Sequence, residues 1–83
     1  MTEEQSNFLD SIVEDIILDG VEDLRQMFWL MSKEHLLMKY SKGGLKLFQE
    51  FKVLINEKFG YDAQEYLTIE LISRIYDEVK WLN

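Results

Sequence analysis

The chain has no cysteine, no proline, four glycines and one histidine. Absent cysteine excludes disulfides and thiolate metal sites. A single histidine cannot supply the two Glu-x-x-His motifs of a di-iron bundle. Without proline nothing forces a break inside a helix. No apolar run approaches the ~20 residues that a membrane span requires. The start, Met1-Thr2-Glu3-Glu4-Gln5, is acidic and polar where a secretory leader is basic. The expectation is a soluble, cytoplasmic protein with no membrane partner. Positive charge is also missing from the first 24 residues, which hold Glu3, Glu4, Asp10, Glu14, Asp15, Asp19, Glu22 and Asp23. The net charge is −7, although from Arg25 onward nine bases face eight acids. That balance argues against general nucleic-acid affinity.

What is present is a dense set of large apolar side chains in 83 residues, enough for one small domain spanning 1–83. The richest stretch is Met27-Phe28-Trp29-Leu30-Met31, continued by Leu36-Leu37-Met38-Lys39-Tyr40. Read as one helix, it is apolar in nearly every direction and needs cover on several sides. The rest of the chain is expected to be organised around it.

The spacing predicts an all-α fold: a three- or four-helix bundle with helices at about 3–18, 21–40, 45–59 and 62–82. Thr2 and Gln5 suit a capping box at the first start. Phe8, Leu9, Ile12, Val13, Ile16 and Ile17 recur on one face, and Gly20 suits a left-handed stop. In the second segment Val21, Leu24, Phe28 and Met31 form one seam. Met27, Leu30 and Leu37 form another, and Trp29, Leu36 and Tyr40 a third. Ser32 is a cap candidate, so 21–40 reads as one helix or two. Gly43-Gly44 marks a turn. Beyond it Phe48, Phe51, Leu54 and Ile55 are expected to face the core, flanked by Leu47 and Phe59. Gly60 suits a helix stop with Tyr61 folded back toward Ile55. Asp62 with Glu65, and Tyr61 with Tyr66, suit a cap and a hydrophobic staple. Leu67, Leu71, Ile75 and Leu82 form one row of the last helix, and Ile69, Ile72, Tyr76 and Val79 the next. The connections near 19–20, 41–44 and 60–61 are short, which favours antiparallel neighbours.

No catalytic, cofactor or metal motif is expected. Nucleophilic catalysis would have to combine His35 with Ser32 or Ser41, and neither serine sits in a nucleophile elbow. The acid pairs Glu14-Asp15, Glu22-Asp23 and Asp77-Glu78 are adjacent in sequence. Neighbours on a helix diverge by ~100°, so none forms a shared dyad. Gly43-Gly44 lacks the context of a phosphate loop. Lys39, Lys42 and Lys46 flank that turn, but the helix after it offers few groups able to read bases. Lysines on a water face are the simpler reading.

Function is therefore expected to be contact. The leading expectation is a protein-binding module: a small regulator, inhibitor or accessory factor on a larger protein or complex. Its anchors would be Phe28, Trp29, Met31, Leu36, Tyr40 and Trp81, since aromatic and Met side chains suit adaptable interfaces. Trp29 is expected to be partly exposed, because Arg25 and Lys33 border its row. The acidic face of Asp10, Glu14, Asp15, Asp19, Glu22 and Asp23 would steer encounter. It also supports a second reading, a nucleic-acid mimic of the anti-restriction or anti-CRISPR kind. A third is a self-assembling structural homo-oligomer, most economically a two-fold dimer.

Overall fold

The computed structural model describes residues 1–18, 26–28, 30–43 and 46–82, side chains at 17, 18 and 80–82 excepted. The readings placed on Asp19 to Arg25, on Trp29, on Gly44 and Leu45, and on the side chains of Ile17, Trp81 and Leu82 lie outside the described residues. Within them the chain is all-α: α1 (Glu3–Leu18), α2 (Lys33–Ser41), α3 (Lys46–Phe59) and α4 (Tyr61–Leu82). Residues 26–28 and 30 are also helical, and no strand occurs among the described residues.

The N-terminal cap forms as the sequence implies. Gln5 N–H donates to Thr2 Oγ1 at 3.1 Å, and Thr2 N–H donates to Gln5 Oε1 at 3.0 Å. The reciprocal pair satisfies two of the donors that a helix start leaves without partners.

The described residues of the stretch 27–40 fall into two helical pieces, one before Ser32 and one after it. Ser32 adopts an extended backbone (φ −73°, ψ 157°), and its hydroxyl accepts from His35 N–H. That cap ends the helical phase at Met31 and restarts it at Lys33. The seam of Met27, Leu30 and Leu37 is broken as a consequence. Met27 and Leu37 pack beside the core, while Leu30 is 66% exposed.

The organising element is α4, not the stretch 27–40. It packs against α1, α2 and α3. Ala63, Leu67, Thr68, Leu71, Ile72, Ile75 and Val79 are all buried along it. These positions make a wide apolar arc, which is what a helix covered from several sides needs. Thr68 is tolerated there because its hydroxyl donates to the Gln64 carbonyl oxygen at 2.7 Å. Around α4 the core takes Leu9 and Val13 from α1, Leu36 and Tyr40 from α2, and Phe48, Phe51 and Ile55 from α3. Phe28 joins them, fully buried.

Two apolar positions expected inside lie outside. Leu54 is 41% exposed, and Ile69 is also exposed. Leu54 sits one step from Ile55, and one step is ~100° on a helix. Phe51 and Ile55 fill the arc of α3 that the other elements cover, and Leu54 turns away from it.

The start of α4 also differs from expectation. Gly60, at φ +90°, turns the chain in one residue, and its N–H donates to the Asn56 carbonyl oxygen. Helix α4 begins immediately at Tyr61, so Asp62 lies inside the first turn rather than before it. Glu65 is drawn instead to Tyr40. Tyr61 is 78% exposed and does not fold back over Ile55.

Candidate docking surface

The proposed anchors separate once placed in three dimensions. Phe28, Leu36 and Tyr40 are in the chain's own core. Burial inside the fold keeps their side chains off the surface of this conformation. Met31 is half-buried against that core. Trp29 and the Trp81 side chain lie outside the described residues.

An aromatic cluster holds two of the three, Phe28 and Tyr40, inside. Phe48 of α3 sits edge-on to Phe28 (centroids 6.3 Å, 89°) and to Tyr40 (6.2 Å, 84°), with Phe51 tilted beside it at 6.5 Å. Edge-to-face geometry sets the positive rim of one ring on the negative face of the next. Lys52 Nζ lies 5.8 Å from the centre of the Tyr40 ring.

Tyr40 also carries a polar link across the core boundary. Its hydroxyl donates to Glu65 Oε2 at 3.0 Å. Burial, then the hydrogen bond and the negative charge of Glu65, push the phenol up to about 12. At the other end of α2, Lys33 Nζ lies 3.7 Å from Asp77 Oδ1. The two contacts tie the end of α2 to the beginning of α4 and its beginning to the end of α4.

The acidic face is partly engaged. Glu3, Glu4, Asp10, Glu14 and Asp15 are exposed on α1. Asp10 accepts from Arg74 Nη1 at 2.8 Å. The same guanidinium reaches Glu70 Oε1 from Nε at 3.0 Å and the Ser6 carbonyl oxygen from Nη1 at 3.0 Å. Burial works against the Arg74 charge, but Glu70 and Asp10 outweigh it and the guanidinium pKa is raised. The Arg74–Asp10 link joins residues 64 positions apart, so no local spacing announces it. Only its i, i+4 partner Glu70 was legible as spacing. Asp19, Glu22 and Asp23 lie outside the described residues.

The serines weighed for catalysis are engaged with the backbone. His35 is exposed on α2, Ser32 is spent on the cap, and the Ser41 hydroxyl donates to the Leu37 carbonyl oxygen. Lys42 and Lys46 are exposed and Lys39 is half-buried.

What the fold leaves outside is a different apolar set from the one expected. Leu30 and Met38 are exposed on the two pieces either side of Ser32. Val53 and Leu54 are exposed on α3, and Tyr61, Tyr66 and Ile69 on α4. Compared with known protein families, curated proteins and solved structures, the chain shows no significant match to any.

Proposed function

We propose that this chain is a protein-binding module, a small regulator, inhibitor or accessory factor that docks on a larger protein or complex. In this reading its helices form a small bundle with antiparallel connections, which presents the contact surface and performs no chemistry of its own. The observation that carries the reading is a buried core that leaves Leu30 and Met38 outside it, 66% and 48% exposed. Isolated exposed apolar residues are ordinary. Here they flank one cap, on the stretch richest in Met and aromatics, where adaptable contacts are favoured. The exposed acids of α1 supply long-range attraction to a basic partner. The mimic reading has less support, because it needs a free row of carboxylates and Asp10 is held by Arg74.

The test is affinity capture from native lysate with the wild type and with Leu30→Glu/Met38→Glu. A stoichiometric protein partner, lost in the double variant while the circular dichroism spectrum is unchanged, supports the reading. Each anchor should be worth about 2 kcal/mol of binding, as for a hot spot. A wild type that recovers no stoichiometric protein refutes it.

A further inference from the structure

The outer face of α3 carries an arrangement that complements itself. Lys46, Gln49, Glu50, Val53, Leu54 and Glu57 line one open groove of about 440 Å³. They lie away from the core-facing Phe48, Phe51 and Ile55. Val53 and Leu54, 57% and 41% exposed, sit between a cation near the helix start and an acid near its end. Lys46, Glu50 and Glu57 are exposed, and none of them enters an ion pair among the described residues.

Read backwards, the charged ends of this face complement one another. Set two copies antiparallel with Lys46 opposite the partner's Glu57. Glu50 then falls at the height of the partner's Val53, and Gln49 at the height of the partner's Leu54. Every residue of the face has a counterpart within the same face, as a two-fold axis demands. We propose that this face docks a second copy of the chain, as an antiparallel α3–α3 pair. The two Val53 side chains come ~4.5 Å apart along the helix axis and form the apolar centre with Leu54. A Lys46–Glu57 pair closes each end, and the antiparallel helix dipoles oppose one another favourably. The two Glu50 carboxylates are the unfavourable element, because they approach each other across the axis. A helix of 14 residues is ~21 Å long, so the contact is smaller than a standard interface. Association is therefore weak, with a dissociation constant between roughly 10 µM and 1 mM. It is independent of Leu30 and Met38, so variants there leave it unchanged.

Sedimentation equilibrium of the whole chain up to ~1 mM tests this. Wild type should fit a monomer–dimer equilibrium. Lys46→Glu and Glu57→Lys should each weaken it about tenfold, since each replaces two attractions by two repulsions. They change the net charge in opposite directions, so a shared loss cannot come from net charge. The double variant Lys46→Glu/Glu57→Lys should recover to within about threefold of wild type, because its pairs are restored in reverse. Glu50→Leu should tighten association. The proposal is overturned if the wild type is monomeric at ~1 mM, if it associates without responding to either reversal, or if the double variant stays as weak as the singles.

Discussion

Phe48 is the residue whose loss should test the packing most directly. It is fully buried and touches rings from the segment before Ser32, from α2 and from its own helix. Phe48→Ala therefore removes a side chain at the meeting point of three elements. Emptying a buried Phe site costs ~3–5 kcal/mol. The two edge-to-face contacts place the value toward the upper end, since such pairs contribute ~0.5–1.5 kcal/mol beyond their area. A domain of 83 residues has a total stability of only ~4–12 kcal/mol. The variant is thus expected to be marginal or unfolded at 37 °C. Phe48→Leu keeps most of the volume and should lose about 1–2 kcal/mol, a fall of roughly 5–15 °C in Tm. Urea denaturation followed by far-ultraviolet circular dichroism measures both. Val53→Ala, on the exposed face of the same helix, is the control and should stay within ~0.5 kcal/mol. A Phe48→Ala loss under ~1.5 kcal/mol, or one no larger than the control's, would refute the aromatic cluster as the centre of the fold.

Ser32→Ala removes the acceptor for His35 N–H and should cost about 1 kcal/mol, with Ser32→Asp close to wild type in the same denaturation assay. Tyr40 gives a pH dependence of known sign. Its phenol titrates near 12 in the folded chain against an ordinary value of ~10. The unfolded chain therefore loses that proton first. The contribution is complete below pH ~10 and falls away as pH rises toward 12. Absorbance at 295 nm should show one phenol ionising near 12 that is missing in Tyr40→Phe, and an unchanged titration in that variant would contradict the burial of Tyr40. Gly60→Ala meets no atom within 4 Å, so its cost is the backbone at φ +90° alone. About 1–2 kcal/mol of lost stability is expected, and a neutral result would argue against the one-residue turn. Arg74→Met should lower stability by about 1 kcal/mol, a modest figure because Asp10 is largely exposed. Hydrogen exchange should show the loss in α1 more than in α3.

The sequence by itself determined the helical class, most helix limits and the first cap. Those properties depend on neighbours three or four residues away, and Thr2, Gln5 and the Phe8–Ile16 stripe lie within that range. It also marked Ser32 as a break without resolving it, because an i, i+3 cap competes there with an unbroken apolar pattern. Which helix is central was decided only in three dimensions. The stretch 27–40 is the more apolar in sequence, but its two halves lose their common phase at Ser32, while α4 keeps a single phase from Tyr61 to Leu82. Phe28 and Tyr40 became core where Phe48 meets both rings, and nothing local announces a ring from another helix. Leu30, Met38, Val53, Leu54 and Ile69 stayed outside for the complementary reason. A hydrophobic side chain is buried only when another element covers its arc of the helix, and that cover is a property of how the helices meet.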